Sequence, residues 1–94
     1  MRVYLLTVDG CDACAKAKRV MTAFKTKWPR IPVIVKNLTS EPWDPYELAV
    51  GFSASPVGQP SAAPSYAVIT DDHKLKTYTK TVLTLSQFEN WLGL

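Results

Sequence analysis

The chain of 94 residues holds two cysteines, and they stand together as Cys11-Asp12-Ala13-Cys14. A Cys-x-x-Cys pair has three chemical uses: a reversible disulfide, two ligands of a metal site, or a structural cross-link. The cross-link is the weakest, because a bridge closing so small a loop removes little entropy from the unfolded chain. Structural zinc needs four ligands, and neither a second Cys-x-x-Cys nor a pair of histidines is present. His73, the one histidine, sits in Asp71-Asp72-His73, which is turn material. No metal ligand set is assigned. Thiol–disulfide exchange is the chemistry this pair suits best. A metal or iron–sulfur cluster shared between two copies through Cys11 is the alternative, as is a module that binds partners without catalysis.

Exchange needs a thiolate, and a thiolate needs something that stabilises negative charge. The flanking elements supply it. Residues 2–8 are nearly all apolar or β-branched, as in a strand buried on both faces. Gly10 permits a sharp turn, and from Asp12 to about Trp28 the period becomes helical. Cys14, Ala17, Val20, Met21, Phe24 and Trp28 share one stripe, with Lys16, Lys18, Arg19, Thr22, Lys25 and Thr26 opposite. Pro29 ends the pattern. Cys11 therefore falls at the helix mouth, where unpaired N–H groups and the helix dipole favour an anion. Cys14 falls one turn inside, on the apolar stripe. Cys11 is expected to be the attacking thiol and Cys14 the resolving one.

The rest of the chain reads as scaffold. Ile31–Val35 is a second strand, parallel to the first through a right-handed crossover. After a loop over 37–43, Asp44, Pro45 and Glu47 open a short helix with a capping box, and Trp43 with Leu48 suggests a hydrophobic staple. Residues 53–64 read as the longest irregular stretch, with no internal repeat. Ser65–Thr70 is a third strand and Lys74–Lys80 an exposed fourth. Thr84 and Gln87 cap a last helix, with Leu83 and Phe88 as its staple and Leu85, Phe88 and Leu92 as its buried stripe. The three tryptophans are expected to serve packing. The order is β-α-β-α-β-β-α, one domain over residues 1–94.

The composition, 47% hydrophobic and 20% charged, is that of a globular domain without a membrane-length apolar run. The N-terminal apolar stretch is short and broken by Asp9, so it reads as a strand and not a signal peptide. A cytoplasmic location is expected. The net charge of +3 draws on Lys16, Lys18, Arg19, Lys25, Lys27 and Arg30. No aromatic residues interleave with these bases in the way a stacking platform needs, so they read as a solvated face and no nucleic acid is expected.

With Cys-x-x-Cys opening the first helix of a βαβ unit, a later ββα unit, and Pro64 heading its first strand, the chain resembles the thioredoxin-fold superfamily. Its length is similar to the minimal glutaredoxin-sized members. The resemblance implies an α/β thioredoxin fold with a four-stranded mixed sheet. It also implies a cis Pro64 facing the dithiol, with Ala63 offering backbone hydrogen bonds to an extended substrate segment. It further implies a monomeric protein disulfide reductase, or electron donor, with no cofactor beyond the Cys11–Cys14 pair. Its partners would be a protein disulfide, such as that formed by ribonucleotide reductase, and an upstream reductase. The chain departs from the familiar members in several places. Asp12-Ala13 stands between the cysteines, no tryptophan precedes Cys11, Leu5 stands where thioredoxins bury an acid, and Asp71-Asp72-His73 replaces a Gly-Gly turn. Asp12 beside Cys11 implies a less stabilised thiolate and a more reducing pair, opposed by Lys16 and Lys18.

Overall fold

The computed structural model describes residues 1–79 and 82–94. Strands β1 (Arg2–Thr7), β2 (Val33–Asn37), β3 (Ser65–Ile69) and β4 (Leu75–Thr79) form one sheet in the order β2-β1-β3-β4. β1 pairs parallel with β2, while β3 pairs antiparallel with both β1 and β4. Helices α1 (Asp12–Lys27), α2 (Pro45–Val50) and α3 (Leu85–Leu92) complete an α/β domain. None of the described helices is long and apolar enough to cross a membrane.

The central strands explain their own sequence. Alternate residues of a strand face opposite sides, and both sides of β1 and β3 are covered. Val3, Leu5, Tyr66 and Val68 pack with Ala17, Met21 and Phe24 of α1 and with Leu83 and Phe88 at α3. Tyr4, Leu6, Ala67 and Ile69 pack on the opposite side with Phe52 and Val57. Each valine, leucine, isoleucine, phenylalanine or methionine among them that is fully removed from water contributes roughly 1.5–3 kcal/mol. A continuous apolar run, not an alternating one, is what two covered faces demand.

Strand boundaries moved by one or two residues. β1 stops at Thr7, one residue short of Val8, and β2 begins at Val33 and ends at Asn37, two residues later than expected. Pro32 has no N–H and enters the ladder only as an acceptor, taking the Val3 N–H at 2.9 Å. Lys36 continues the strand because its side chain is buried. Lys80, expected at the end of β4, lies outside the described residues.

The stretch expected to be irregular is instead three successive 3-10 turns, Phe52–Ala54, Pro56–Gly58 and Pro60–Ala62. Prolines at 56, 60 and 64 recur every fourth residue, and the first two head 3-10 turns. A proline at the first position has its φ already set for such a turn. Val57 and Ala62 turn inward, so this ribbon helps to roof one face of the sheet.

Both capping boxes form, Asp44 with Glu47 and Thr84 with Gln87. The staple at α3 holds, with Leu83 and Phe88 in one cluster. The staple expected at α2 does not. Leu48 is 48% exposed, and Trp43 stacks on Phe52 with ring centroids 4.6 Å apart. A flat indole gains more from a parallel aromatic ring than from one leucine. On α3, Phe88 is fully buried while Leu85, Trp91 and Leu92 are half-buried. Lys76, Thr77 and Tyr78 of β4 are exposed, yet Tyr78 meets Trp91 edge-on and Lys76 Nζ donates to the Trp91 carbonyl at 2.9 Å.

Candidate active site at the cysteine pair

β1 delivers the chain to the site. After Thr7 the backbone turns through Gly10, whose φ of +69° is easy for glycine and costly for residues with a Cβ. Cys11 then serves as the N-cap of α1 in extended conformation, and its Sγ accepts the Cys14 N–H at 3.1 Å. Sulfur takes the capping place that a serine or aspartate oxygen usually fills. Cys11 and Cys14 are joined as a disulfide. Cys11 is half-buried and Cys14 only 2% exposed, on the same side of the helix as Ala17 and Met21. Asp12 and Lys16 are exposed in the first turns of α1.

A second loop braces this one. Asn37 Nδ2 donates to Asp9 Oδ1 at 2.7 Å, and the Asp9 N–H donates to Thr39 Oγ1 at 3.2 Å. Asn37 Oδ1 in turn accepts the Thr39 N–H at 2.8 Å. The chain leaving β2 thus holds the chain leaving β1, two residues before Cys11. Sequence reading did not single out Asn37 or Thr39. The signal was an asparagine able to bond two residues on, but nothing local names Asp9 as its partner.

Pro64 comes to the same end of the sheet. The antiparallel register sets Leu6 against Ser65, so Pro64 stands across from Thr7, where the cysteine loop departs. The Ala63–Pro64 peptide is cis, Pro64 is buried, and Ala63 is half-buried with extended φ and ψ of −83° and 147°. Ser65, also buried, donates from Oγ to the Ala62 carbonyl, which ties the last 3-10 turn to β3.

Another ionisable cluster was not foreseen. Lys36 and Glu47 form a buried ion pair, and Lys36 Nζ also donates to the Pro42 carbonyl at 3.0 Å and lies 4.6 Å from the centre of the Trp43 ring. Burial pushes the Glu47 carboxyl up, but the Lys36 ammonium, the Asp44 N–H and Tyr4 together hold it below the usual value. The Tyr4 phenol is pushed up to about 12, chiefly by burial, with Glu47 adding to the rise and Arg2 opposing it. The groups of this cluster are held by one another, and Tyr4 and Trp43 pack in the core on that side of the sheet. His73 is a turn residue with φ of +62°, and its Nδ1 lies 2.9 Å from the Tyr46 hydroxyl. Among the described residues, no three His, Cys, Asp or Glu side chains gather as a metal site.

Set against known proteins, the chain matches no family model, no curated protein and no solved structure.

Proposed function

We propose that this chain is a thiol–disulfide oxidoreductase with a thioredoxin fold, reducing protein disulfides through Cys11 and Cys14. One observation carries the reading. The two sulfurs share a helix start but not an environment: Cys11 caps the helix and receives an N–H, while Cys14 is buried one turn on. The β2-β1-β3-β4 order and the place of Pro64 at the same sheet end support it.

The reaction runs as two exchanges. The Cys11 thiolate attacks one sulfur of the client disulfide; that S–S bond breaks, and the departing client thiolate is protonated by solvent. Cys14 then loses its proton and attacks the Cys11 sulfur. The mixed disulfide breaks, the second client thiolate leaves and is protonated, and Cys11–Cys14 closes. The client gains two electrons and two protons, which an upstream dithiol reductase restores to the pair. Extended Ala63 would hold the client segment by backbone hydrogen bonds beside Pro64. The client is a protein disulfide formed by turnover, of the kind ribonucleotide reductase makes, in a reducing cytoplasm.

Trapping tests this directly. Cys14→Ser should accumulate mixed disulfides on Cys11 that mass spectrometry can identify, and Cys11→Ser should accumulate none. Equal trapping by both variants would overturn the assignment of attacker and resolver. Failure of the unaltered dithiol to reduce an insulin disulfide would overturn the activity.

A further inference from the structure

The edge of the sheet beside α1 carries a surface that does not involve the cysteines. β2 is a terminal strand, paired on one side only. Its ladder with β1 is anchored by the Val3 N–H on the Pro32 carbonyl and the Leu38 N–H on the Thr7 carbonyl. In a parallel ladder the bonding residues alternate, so Val33 and Val35 turn their N–H and C=O away from β1. Farther along, the outward N–H of Asn37 is taken by Glu41 Oε1 at 3.0 Å, which closes that end of the edge.

The side chains of Val33 and Val35 face α1. With Met21, Thr22, Lys18 and Lys25 they line a groove of about 320 Å³. Its floor is apolar, and Val35 is 41% exposed. Its rim is basic, since Lys18, Thr22 and Lys25 recur along one exposed side of the helix. Soluble proteins rarely leave an edge strand with an exposed valine and outward amides uncovered.

We propose that this groove binds an extended, acidic segment of a partner protein, added to β2 as a further strand. The strand would pair with the outward N–H and C=O of Val33 and Val35. Lys18 and Lys25 are seven residues apart on α1, a rise of about 10 Å. Alternate residues of a strand stand about 7 Å apart, so two carboxylates facing the groove come within reach of both ammonium groups. Charge selects this occupant over a second copy of the chain. An antiparallel copy along β2 would carry its own α1 on the same face and set lysines against lysines. The groove floor also offers no aromatic ring on which a nucleic-acid base would stack.

The test uses isotopically labelled full-length protein and two synthetic peptides, acetyl-Glu-Val-Glu-Val-Glu-Val-Glu-amide and its lysine counterpart. The glutamate peptide should shift the amide resonances of Val33 and Val35, and bind more weakly as salt rises. The double variant Lys18→Glu, Lys25→Glu, altered only at exposed positions, should bind it roughly tenfold less tightly and come to prefer the lysine peptide. Indifference to peptide charge would overturn the proposal. So would shifts confined to other parts of the protein, a dimer through β2 that excludes the peptide, or stronger shifts of the same amides by a single-stranded oligonucleotide. A Cys11→Ser, Cys14→Ser variant should bind unchanged, which separates this surface from the redox reading.

Discussion

Alkylating reagents will distinguish the two sulfurs once the disulfide is reduced. Cys11 is half-buried at the helix mouth with an N–H directed at it, whereas Cys14 is 2% exposed. Reactivity follows thiolate character and access, so iodoacetamide should modify Cys11 at least ~10-fold faster, read by peptide mass mapping over time. Equal rates would remove the basis for calling Cys11 the attacker. Lys36 makes the opposite kind of prediction, about stability. Lys36→Met leaves the Glu47 carboxylate buried without its cation, and breaking such a pair costs about 3–5 kcal/mol. Urea unfolding should show that loss, and adding Glu47→Gln should restore part of it. Neither residue announced this role. A lysine after Val-Ile-Val reads as the end of a strand, and Glu47 reads as a cap; it is both a cap and the lysine's partner.

Elements were legible wherever their signals were local. Asp44-Pro45 and Thr84 mark helix starts by side chains that bond three residues away, and both boxes form where the spacing put them. Cys11 fell at the start of α1 because Gly10 and the change of period fix that boundary within a few residues. Partners distant in the chain stayed hidden. Trp43 faces Phe52 and not Leu48, and Asn37 holds Asp9, because only the assembled sheet brings those loops together. The proline rhythm was missed for a different reason: its turns are three residues long, too short for any periodicity of side-chain character to show. Gly58 in that ribbon gives a prediction at this scale. A Cβ there would run into the carbonyl oxygen of Phe52, a backbone atom that cannot swing aside. Gly58→Ala should cost about 1–3 kcal/mol, as overpacking does. Ser61→Ala, at an exposed position of the same ribbon, should stay within about 0.5 kcal/mol. Both are measurable by thermal or urea unfolding.

Across the whole molecule, stability should fall off at alkaline pH through buried phenols. Tyr4 is fully buried, and its folded-state pKa of about 12 exceeds the ordinary 10.0. The folded chain therefore holds a proton that the unfolded chain gives up. The resulting stabilisation is complete below pH 10 and is lost as pH rises towards 12, at roughly 1.4 kcal/mol per unit. Tyr66, raised by burial although the Leu83 N–H opposes the rise, acts in the same direction. Tyr4→Phe should flatten the decline in urea midpoint over that range, leaving the smaller part due to Tyr66. Glu47 sets the acid side. Its lowered pKa gives stability that is present above the ordinary carboxylate value and lost as pH falls through the lowered one.

The sulfur cap on α1 joins these scales. A disulfide sulfur accepts an N–H weakly, and a thiolate accepts it strongly, so the first turn of α1 is firmer when Cys11 is ionised. Linkage runs both ways: whatever firms that turn acidifies Cys11, and whatever frays it makes the thiol a poorer acid. Helix order and sulfur charge are then a single equilibrium seen from two sides. Temperature, denaturant or a change elsewhere in α1 can adjust the reactivity of a sulfur it never touches.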